Sequence, residues 1–253
     1  MICDLENKVV FVTGSARRVG RAIALAFAEQ GANVVIHHVS PSSAEPARTA
    51  AAEAKDLGVD AFITTGDQAS PDDVVRMIEE VRGYYGRIDV LVNSAALFRR
   101  VDFLEIDYEE WQQVIDVNLT GPFLLTQHAA RLMIENGTGG VIINIGDNGG
   151  LNGWAAYPHH SISKAGVIML TRVSALALAP HDVRVNCVVP GPVLLPPGST
   201  EEAEERIAAS LPLGRLGDPE NVGHACVFLA QNDFATGTVL RVDGGEGVKG
   251  REV

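Results

Sequence analysis

The sequence predicts an α/β fold, a doubly wound parallel sheet of about seven strands with helices on both faces, in a single domain covering residues 1–253. Three observations carry this. Apolar runs recur at residues 9–12, 34–36, 61–64, 90–92, 141–145, 183–188 and 239–242, and most are continuous rather than alternating, as expected of strands buried on both faces. Helix-like segments at 18–30, 44–57, 71–85, 108–135, 158–179 and 219–230 fall between them, and such alternation packs helices on both sides of a parallel sheet. A chain of 253 residues can bury a substantial core and, in α/β folds, commonly stays one domain.

The first strand, Lys8-Val-Val-Phe-Val12, runs into Thr13-Gly14-Ser15-Ala16-Arg17-Arg18-Val19-Gly20 and then a helical segment. Strand, glycine turn and helix N-terminus are the parts that cradle a pyrophosphate, because free backbone N–H groups and the helix dipole point at it. The same pieces also build a plain tight turn. The second strand ends in His37-His38-Val39-Ser40, without the acid that would accept from an adenosine 2′-hydroxyl. With Arg17 and Arg18 in the neighbouring turn, a 2′-phosphate is favoured over the alternative that Arg17 merely projects into solvent. After the third strand comes Asp67, which local chemistry alone reads as a surface turn acid. Ser70-Pro71-Asp72-Asp73 starts the next helix with a cap, a first-turn proline and two acids, and Asp218-Pro219-Glu220 repeats the pattern. Residues 190–200 are rich in Gly and Pro and read as a mobile loop beside a site, with residues 193–210 expected to cover a substrate.

Composition narrows the function classes. The formal net charge is −12 with no basic patch, which argues against a nucleic-acid partner. Cys3, Cys187 and Cys226 are far apart and form no CxxC pair, and the histidines show no ligand spacing such as HxxxH, so neither a disulfide framework nor a metal is expected. The N-terminus lacks the layout of a signal peptide, and the apolar stretch 167–179 is interrupted by Arg172 and shorter than the ~20 residues that span a bilayer. A cytoplasmic protein with no membrane segment is the expectation.

The chain resembles the short-chain dehydrogenase/reductase family over essentially its whole length. Gly14 and Gly20 match the outer glycines of the family's TGxxxGxG motif, with Arg18 at the middle one, and a related TGxxKRxG form occurs in the pteridine reductase branch. Further matches are Asn93-Ser94-Ala95-Ala96 for NNAG, Asp116-Val-Asn118-Leu-Thr-Gly121-Pro-Phe, Arg184-Val-Asn186, Pro190-Gly191, Thr236-Gly237 and Val242-Asp243-Gly244-Gly245. The resemblance implies a Rossmann-type domain, with about residues 1–92 forming mainly the dinucleotide-binding half and about 93–253 the catalytic, substrate and oligomerisation half. It implies NADP(H), with NAD(H) less favoured, held by Gly14, Ser15, Arg17, Arg18, Val19, Gly20, His37, Ser40, Asp67, Asn93, Ala95, Lys164, Pro190, Gly191 and Val193. A homo-oligomer, tetramer favoured, is implied as well.

The family's catalytic set contains an Asn, a Ser, a Tyr about 13 residues after the Ser, and a Lys four residues after the Tyr. Asn118 and Lys164, the latter in Ser161-Ile-Ser163-Lys164-Ala165-Gly166, match the Asn and Lys. Counting back places His160 at the Tyr position and Asp147 at the Ser position, with both spacings intact. Tyr157 precedes Pro158 and falls at or before the helix start, so it is not assigned the role. His160 and Lys164, four apart, share a helix face, and imidazole is suited to proton transfer near neutral pH. Pteridine reductases carry an Asp at the Asp147 position, and Leu170-Thr-Arg, Leu178-Ala-Pro and Pro190-Gly-Pro-Val-Leu-Leu-Pro196 also resemble that branch, which implies a carbonyl or imine substrate. The expected function is an NADP(H)-dependent oxidoreductase acting on a small molecule. The alternative is a nucleotide-binding sensor or scaffold, in which Asp147 caps a turn and His160 is an ordinary helix residue.

Overall fold

Strands β1 (Val9–Val12), β2 (Asn33–His38), β3 (Ala61–Thr65), β4 (Val90–Asn93), β5 (Gly140–Ile145), β6 (Val183–Pro190) and β7 (Val239–Val242) pair in the order β3-β2-β1-β4-β5-β6-β7 in a computed structural model that describes residues 3–195 and 198–248. Every neighbouring pair is parallel. The chain builds outward from β1 to β3, then returns to place β4 on the other side of β1. This reversal leaves a crevice beyond the C-terminal ends of β1 and β4, where ligands bind in open α/β sheets.

Alternate residues of each strand feed two cores. Val10, Val12, Val34 and Ile36 face α1 (Arg18–Ala28), α2 (Ala44–Asp56) and α9 (Pro219–Gln231) through Phe27, Ala50 and Leu229. Val9, Phe11 and Val35 face the opposite way, onto Met77 of α3 (Pro71–Tyr85) and Leu125 and Met133 of α5 (Gly121–Glu135). Burying one such side chain fully is worth ~1.5–3 kcal/mol, so the two layers fix the sheet from both sides. The expected cap of α3 is present, since Ser70 Oγ accepts from the Asp73 N–H, and Gly86 closes the helix at φ 73°.

Three elements depart from expectation. The helix predicted over 108–135 is interrupted: α4 (Tyr108–Ile115) passes through one wide π turn at Asp116–Thr120 before α5 begins. Pro122 has no N–H to continue the ladder, and the wider turn accommodates it. A short helix α6 (Gly149–Asn152) follows β5, and α8 (Glu201–Ser210) forms within the expected substrate cover. No residue of α8 is buried; Thr200 and three first-turn glutamates start it, so an apolar stripe could not announce it. Residues 1–2 of the N-terminus and 196–197 of the 190–200 loop lie outside the described residues.

Helix α7 (Pro158–Leu178) corrects the expectation of a segment too short to span a bilayer. With the turn at Ala179–His181 it runs 24 residues, long and apolar enough to cross a membrane by length and composition. It packs on β5 and β6, and His159, His160, Ser163, Lys164 and Thr171 are buried along it, as in a core helix of a sheet protein.

Candidate active site

The glycine turn has the geometry a dinucleotide needs. Gly14 takes φ 67°, and a Cβ there would lie 3.0 Å from Ala95, which explains a small residue on both sides. A Cβ on Gly20 would stand 2.4 Å from the Gly14 carbonyl oxygen, so α1 can approach β1 closely only without one. Arg18 keeps the left-handed conformation of a glycine, with φ 54°. Arg17, at the N-cap of α1, makes no side-chain cap hydrogen bond among the described residues, leaving the first-turn amides to other acceptors. Thr13 Oγ1 accepts from the Ser94 and Ala95 N–H groups at 2.9 and 3.0 Å, fastening the loop after β4 to the end of β1.

The expected cofactor contacts divide. Arg17 reaches the Ser42 carbonyl at 2.6 Å, beside the Ser40 and Ser43 hydroxyls at the start of α2. Arg18, at φ 54°, donates to the carbonyls of Leu194 and Leu195 in the loop after β6 at 3.2 and 3.1 Å. His37 is buried beneath the turn instead of facing it: Nδ1 accepts from the Gly14 N–H at 2.9 Å and Nε2 donates to the Gly66 carbonyl at 2.8 Å. Asn93 points into the sheet, donating to Asn144 Oδ1 at 2.8 Å and Thr126 Oγ1 at 3.2 Å, so its side chain is a scaffold. Asp67 is exposed and accepts from the Ala69 N–H within its own turn. At the end of β6, Gly191 and Val193 line a cavity of about 590 Å³ with Leu211, Arg215, His224 and Asp243.

Asn118, Asp147, His160 and Lys164 converge. Asn118 sits in the π turn, fully buried, with its amide paired to Leu97: Oδ1 accepts from the N–H at 2.7 Å and Nδ2 donates to the carbonyl at 2.9 Å. That same Leu97 carbonyl lies 3.1 Å from His160 Nδ1, with the Asn118 amide nitrogen farther off at 3.5 Å; the shorter contact, to a group that only accepts, is met by the tautomer with its proton on Nδ1. His160 Nε2 then faces Asp147 Oδ2 at 3.4 Å, close but not aligned as a hydrogen bond among the described residues. Asp147 is positioned by the Gly149 N–H at 2.7 Å. Lys164 Nζ donates to the Ile145 carbonyl at 2.7 Å; burial pushes its ammonium below the ordinary lysine range, and Asp147 opposes that shift.

Several residues here carry no signal in sequence. Phe98 stands edge-on to the His160 ring at 4.7 Å and stacks on Tyr157 at 4.3 Å, with Trp154 beside both, forming an aromatic wall next to the imidazole. Tyr157 is the N-cap of α7, as its place before Pro158 implied. Gln68 donates to the Ala95 and Val117 carbonyls, tying the loop after β4 to the π turn. Loop backbone positions such as Leu97 become functional only through long-range packing, which no local pattern reports.

Comparison with known proteins agrees with this architecture. Residues 14–246 match a family described as Enoyl-(Acyl carrier protein) reductase. The chain is 36% identical to a 3-oxoacyl-(acyl-carrier-protein) reductase FabG of Thermotoga maritima, covering 95% of this chain and 98% of that protein. It is 35% identical to an L-rhamnose 1-dehydrogenase (NAD(P)(+)) of a Sphingomonas species, over 95% and 96% of the two chains. A short-chain type dehydrogenase/reductase from Mycobacterium marinum superposes with a TM-score of 0.90 at 34% identity, covering 97% and 98%. A blue fluorescent protein from a metagenomic library, solved in complex with NADPH, superposes with a TM-score of 0.89 at 30% identity, covering 97% and 100%.

Proposed function

The chain belongs to the short-chain dehydrogenase/reductase family of oxidoreductases, and from that premise we propose that it is an NADP(H)-dependent reductase or dehydrogenase acting on a small carbonyl or imine compound, with His160 in the place of the family's tyrosine. The observation that carries this is the convergence of Asn118, Asp147, His160 and Lys164 past the C-terminal ends of the strands, on the side of the sheet where the glycine turn opens. The residues fit a dinucleotide: the uncapped start of α1 takes the pyrophosphate, and Arg17 with Ser40 and Ser43 takes a 2′-phosphate. When bound, the nicotinamide supplies or receives the hydride.

His160 moves the proton. In the reducing direction its imidazolium holds Nδ1–H on the Leu97 carbonyl and gives the Nε2 proton to the substrate oxygen or nitrogen, which has gained an electron pair. Asp147 stabilises the imidazolium and aims Nε2, and the ring is reprotonated from solvent. Asn118 fixes the Leu97 backbone on which the ring rests. Lys164, which donates to the Ile145 carbonyl, would hold the nicotinamide ribose. The aspartate at position 147 supports a pteridine reductase-like preference that includes cyclic imines. A panel of ketones and cyclic imines tests the proposal by NADPH oxidation; turnover of at least one is expected, and none with any member would favour a nucleotide-binding protein without catalysis.

We further propose a cytoplasmic homo-oligomer, tetramer favoured. Ile162, Met169, Val173 and Leu176 leave one face of α7 apolar and open, Leu176 being 80% exposed, and Phe123 of α5 adds to it. A monomer in sedimentation at micromolar concentration would overturn this. In this reading residues up to about 92 serve mainly the dinucleotide, and about 93–253 form the catalytic, substrate and oligomerisation half.

A further inference from the structure

His37 makes more of the glycine turn than a neighbouring residue needs to. It is 2% exposed, and three of its polar groups are committed to the turn or its surroundings: Nδ1 accepts from the Gly14 N–H at 2.9 Å, Nε2 donates to the Gly66 carbonyl at 2.8 Å, and its own N–H donates to Ser15 Oγ at 2.9 Å. Ser15 Oγ in turn donates to the Val12 carbonyl at 2.7 Å, closing the link back to β1. An acceptor at Nδ1 and a donor at Nε2 define one neutral tautomer. The ring thus acts as a strut between the glycine turn after β1 and the turn after β3, the two segments that border the adenosine end of the crevice.

We propose that His37 is a positioning residue for the dinucleotide: in its neutral Nε2–H form it holds the Gly14 backbone in the conformation that receives the pyrophosphate, and its protonation releases the turn. The inference rests on the cofactor reading above. An imidazolium presents N–H at both nitrogens, so the Gly14 N–H would meet a donor instead of an acceptor, and the strut opens at its β1 end. The Phe11 ring, in T-shaped contact at 6.3 Å between centroids, adds no charge to this environment. The titratable groups around it are His38 on β2, whose charge opposes protonation, and Asp67 and Asp73 from the β3–α3 side, which favour it. Burial outweighs the Gly66 carbonyl bond and the two carboxylates, which all favour the charged ring, and holds His37 below the ordinary histidine range, so it is neutral at pH 7 and the strut is closed there.

The sign follows. The bound state requires the neutral ring, so affinity is full at neutral pH and falls as the pH drops through the lowered His37 value. NADPH carries a 2′-phosphate that also titrates in mildly acidic solution, so the readout is the difference between wild type and variants rather than the wild-type profile alone. NADPH and NADH affinities are measured by fluorescence titration between pH 5.0 and 8.0 for wild type, His37→Phe and His37→Asn, with far-UV circular dichroism at each pH. His37→Phe keeps ring volume but leaves the Gly14 N–H and the Gly66 carbonyl unpaired, and is expected to weaken both dinucleotides about 10-fold or more at pH 7.5. His37→Asn presents an amide oxygen near the Nδ1 position without a titrating ring. It is expected to recover most of the loss at pH 7.5 and to show a flatter acid limb than wild type as the pH falls through the lowered His37 value, with either dinucleotide. A folded His37→Phe binding within twofold of wild type, or acid limbs of wild type and His37→Asn that superimpose, would overturn the positioning role. Should His37→Phe fail to fold, the His37→Asn comparison decides alone. Wild type that binds neither dinucleotide at pH 7.5 would instead overturn the cofactor reading, and the inference with it.

Discussion

One substitution, glycine to alanine, should act in opposite directions at two helical positions, and the contrast tests the reading of the dinucleotide turn. Gly83 lies in α3 with nothing within 4 Å of the Cβ it would gain. Gly83→Ala therefore collects the helix-propensity difference alone, a gain of ~0.8–1 kcal/mol. For a domain of this size that raises Tm by about 2–4 °C. Gly20 in α1 collects the same propensity gain, but its Cβ would stand 2.4 Å from the Gly14 carbonyl oxygen and 2.9 Å from the Gly14 carbonyl carbon. Both are backbone atoms, and ordinary contact requires α1 and the turn to separate by roughly 1 Å. Overpacking of that kind costs ~1–3 kcal/mol or more, which exceeds the propensity gain at all but its lower limit. Gly20→Ala should melt below wild type and bind NADPH at least 10-fold more weakly, because the displaced atoms belong to the pyrophosphate cradle. Thermal denaturation and NADPH titration read both effects. Gly20→Ala melting as high as Gly83→Ala with unchanged NADPH affinity would refute the close approach on which the cofactor site depends.

Three further outcomes follow from the site. Arg17→Ala should weaken NADPH about 10-fold and leave NADH within twofold, since a charge-assisted bond is worth ~1.5–3 kcal/mol and exposure of Arg17 reduces it to ~1.4; equal loss for both dinucleotides contradicts the 2′-phosphate assignment. Asp147→Asn should slow turnover about 10-fold with NADPH affinity nearly unchanged, whereas Tyr157→Phe, stacked on Phe98, should keep wild-type turnover; a dead Tyr157→Phe would make that phenol the acid. Lys164 is held below its ordinary pKa by burial, so the folded protein binds its proton less readily than the unfolded chain, and this penalty is relieved as pH rises from the folded value toward the ordinary one. Stability of wild type relative to Lys164→Met should therefore climb as pH rises toward the ordinary lysine value in urea titrations, and parallel curves would contradict it.

The fold was legible because parallel strands are buried on both faces. Val9–Val12 reads as a continuous apolar run, buried throughout and with unchanged bounds, whereas Val239–Val242 keeps its bounds as an edge strand that carries Arg241 and has no buried residue; Ser70-Pro71 marked the start of α3 through its own backbone chemistry. Local signals failed where the structure is set by distant partners. The π turn at Asp116–Thr120 keeps helical periodicity while changing the hydrogen-bond ladder, and α8 packs no apolar face. At the site, the 13- and 4-residue spacings brought Asp147, His160 and Lys164 together because Gly149 and α7 hold them rigidly. Sequence did not foretell that Arg18 donates to the Leu194 and Leu195 carbonyls, that His37 is buried against the glycine turn, or that Asn93 donates to Asn144. These contacts go with a left-handed φ, a buried tautomer and a cross-strand amide pair, none of which leaves a trace in residue order.

The central claim is that His160 carries the proton in an NADPH-dependent reaction. It is tested most directly by steady-state NADPH oxidation with the best substrate of the ketone and imine panel, comparing wild type with His160→Ala alongside NADPH binding. General acid catalysis contributes 10²–10⁴-fold, so kcat should fall by about 10²-fold or more while NADPH affinity stays within threefold. Wild-type turnover in His160→Ala, at undiminished NADPH affinity, would contradict the account.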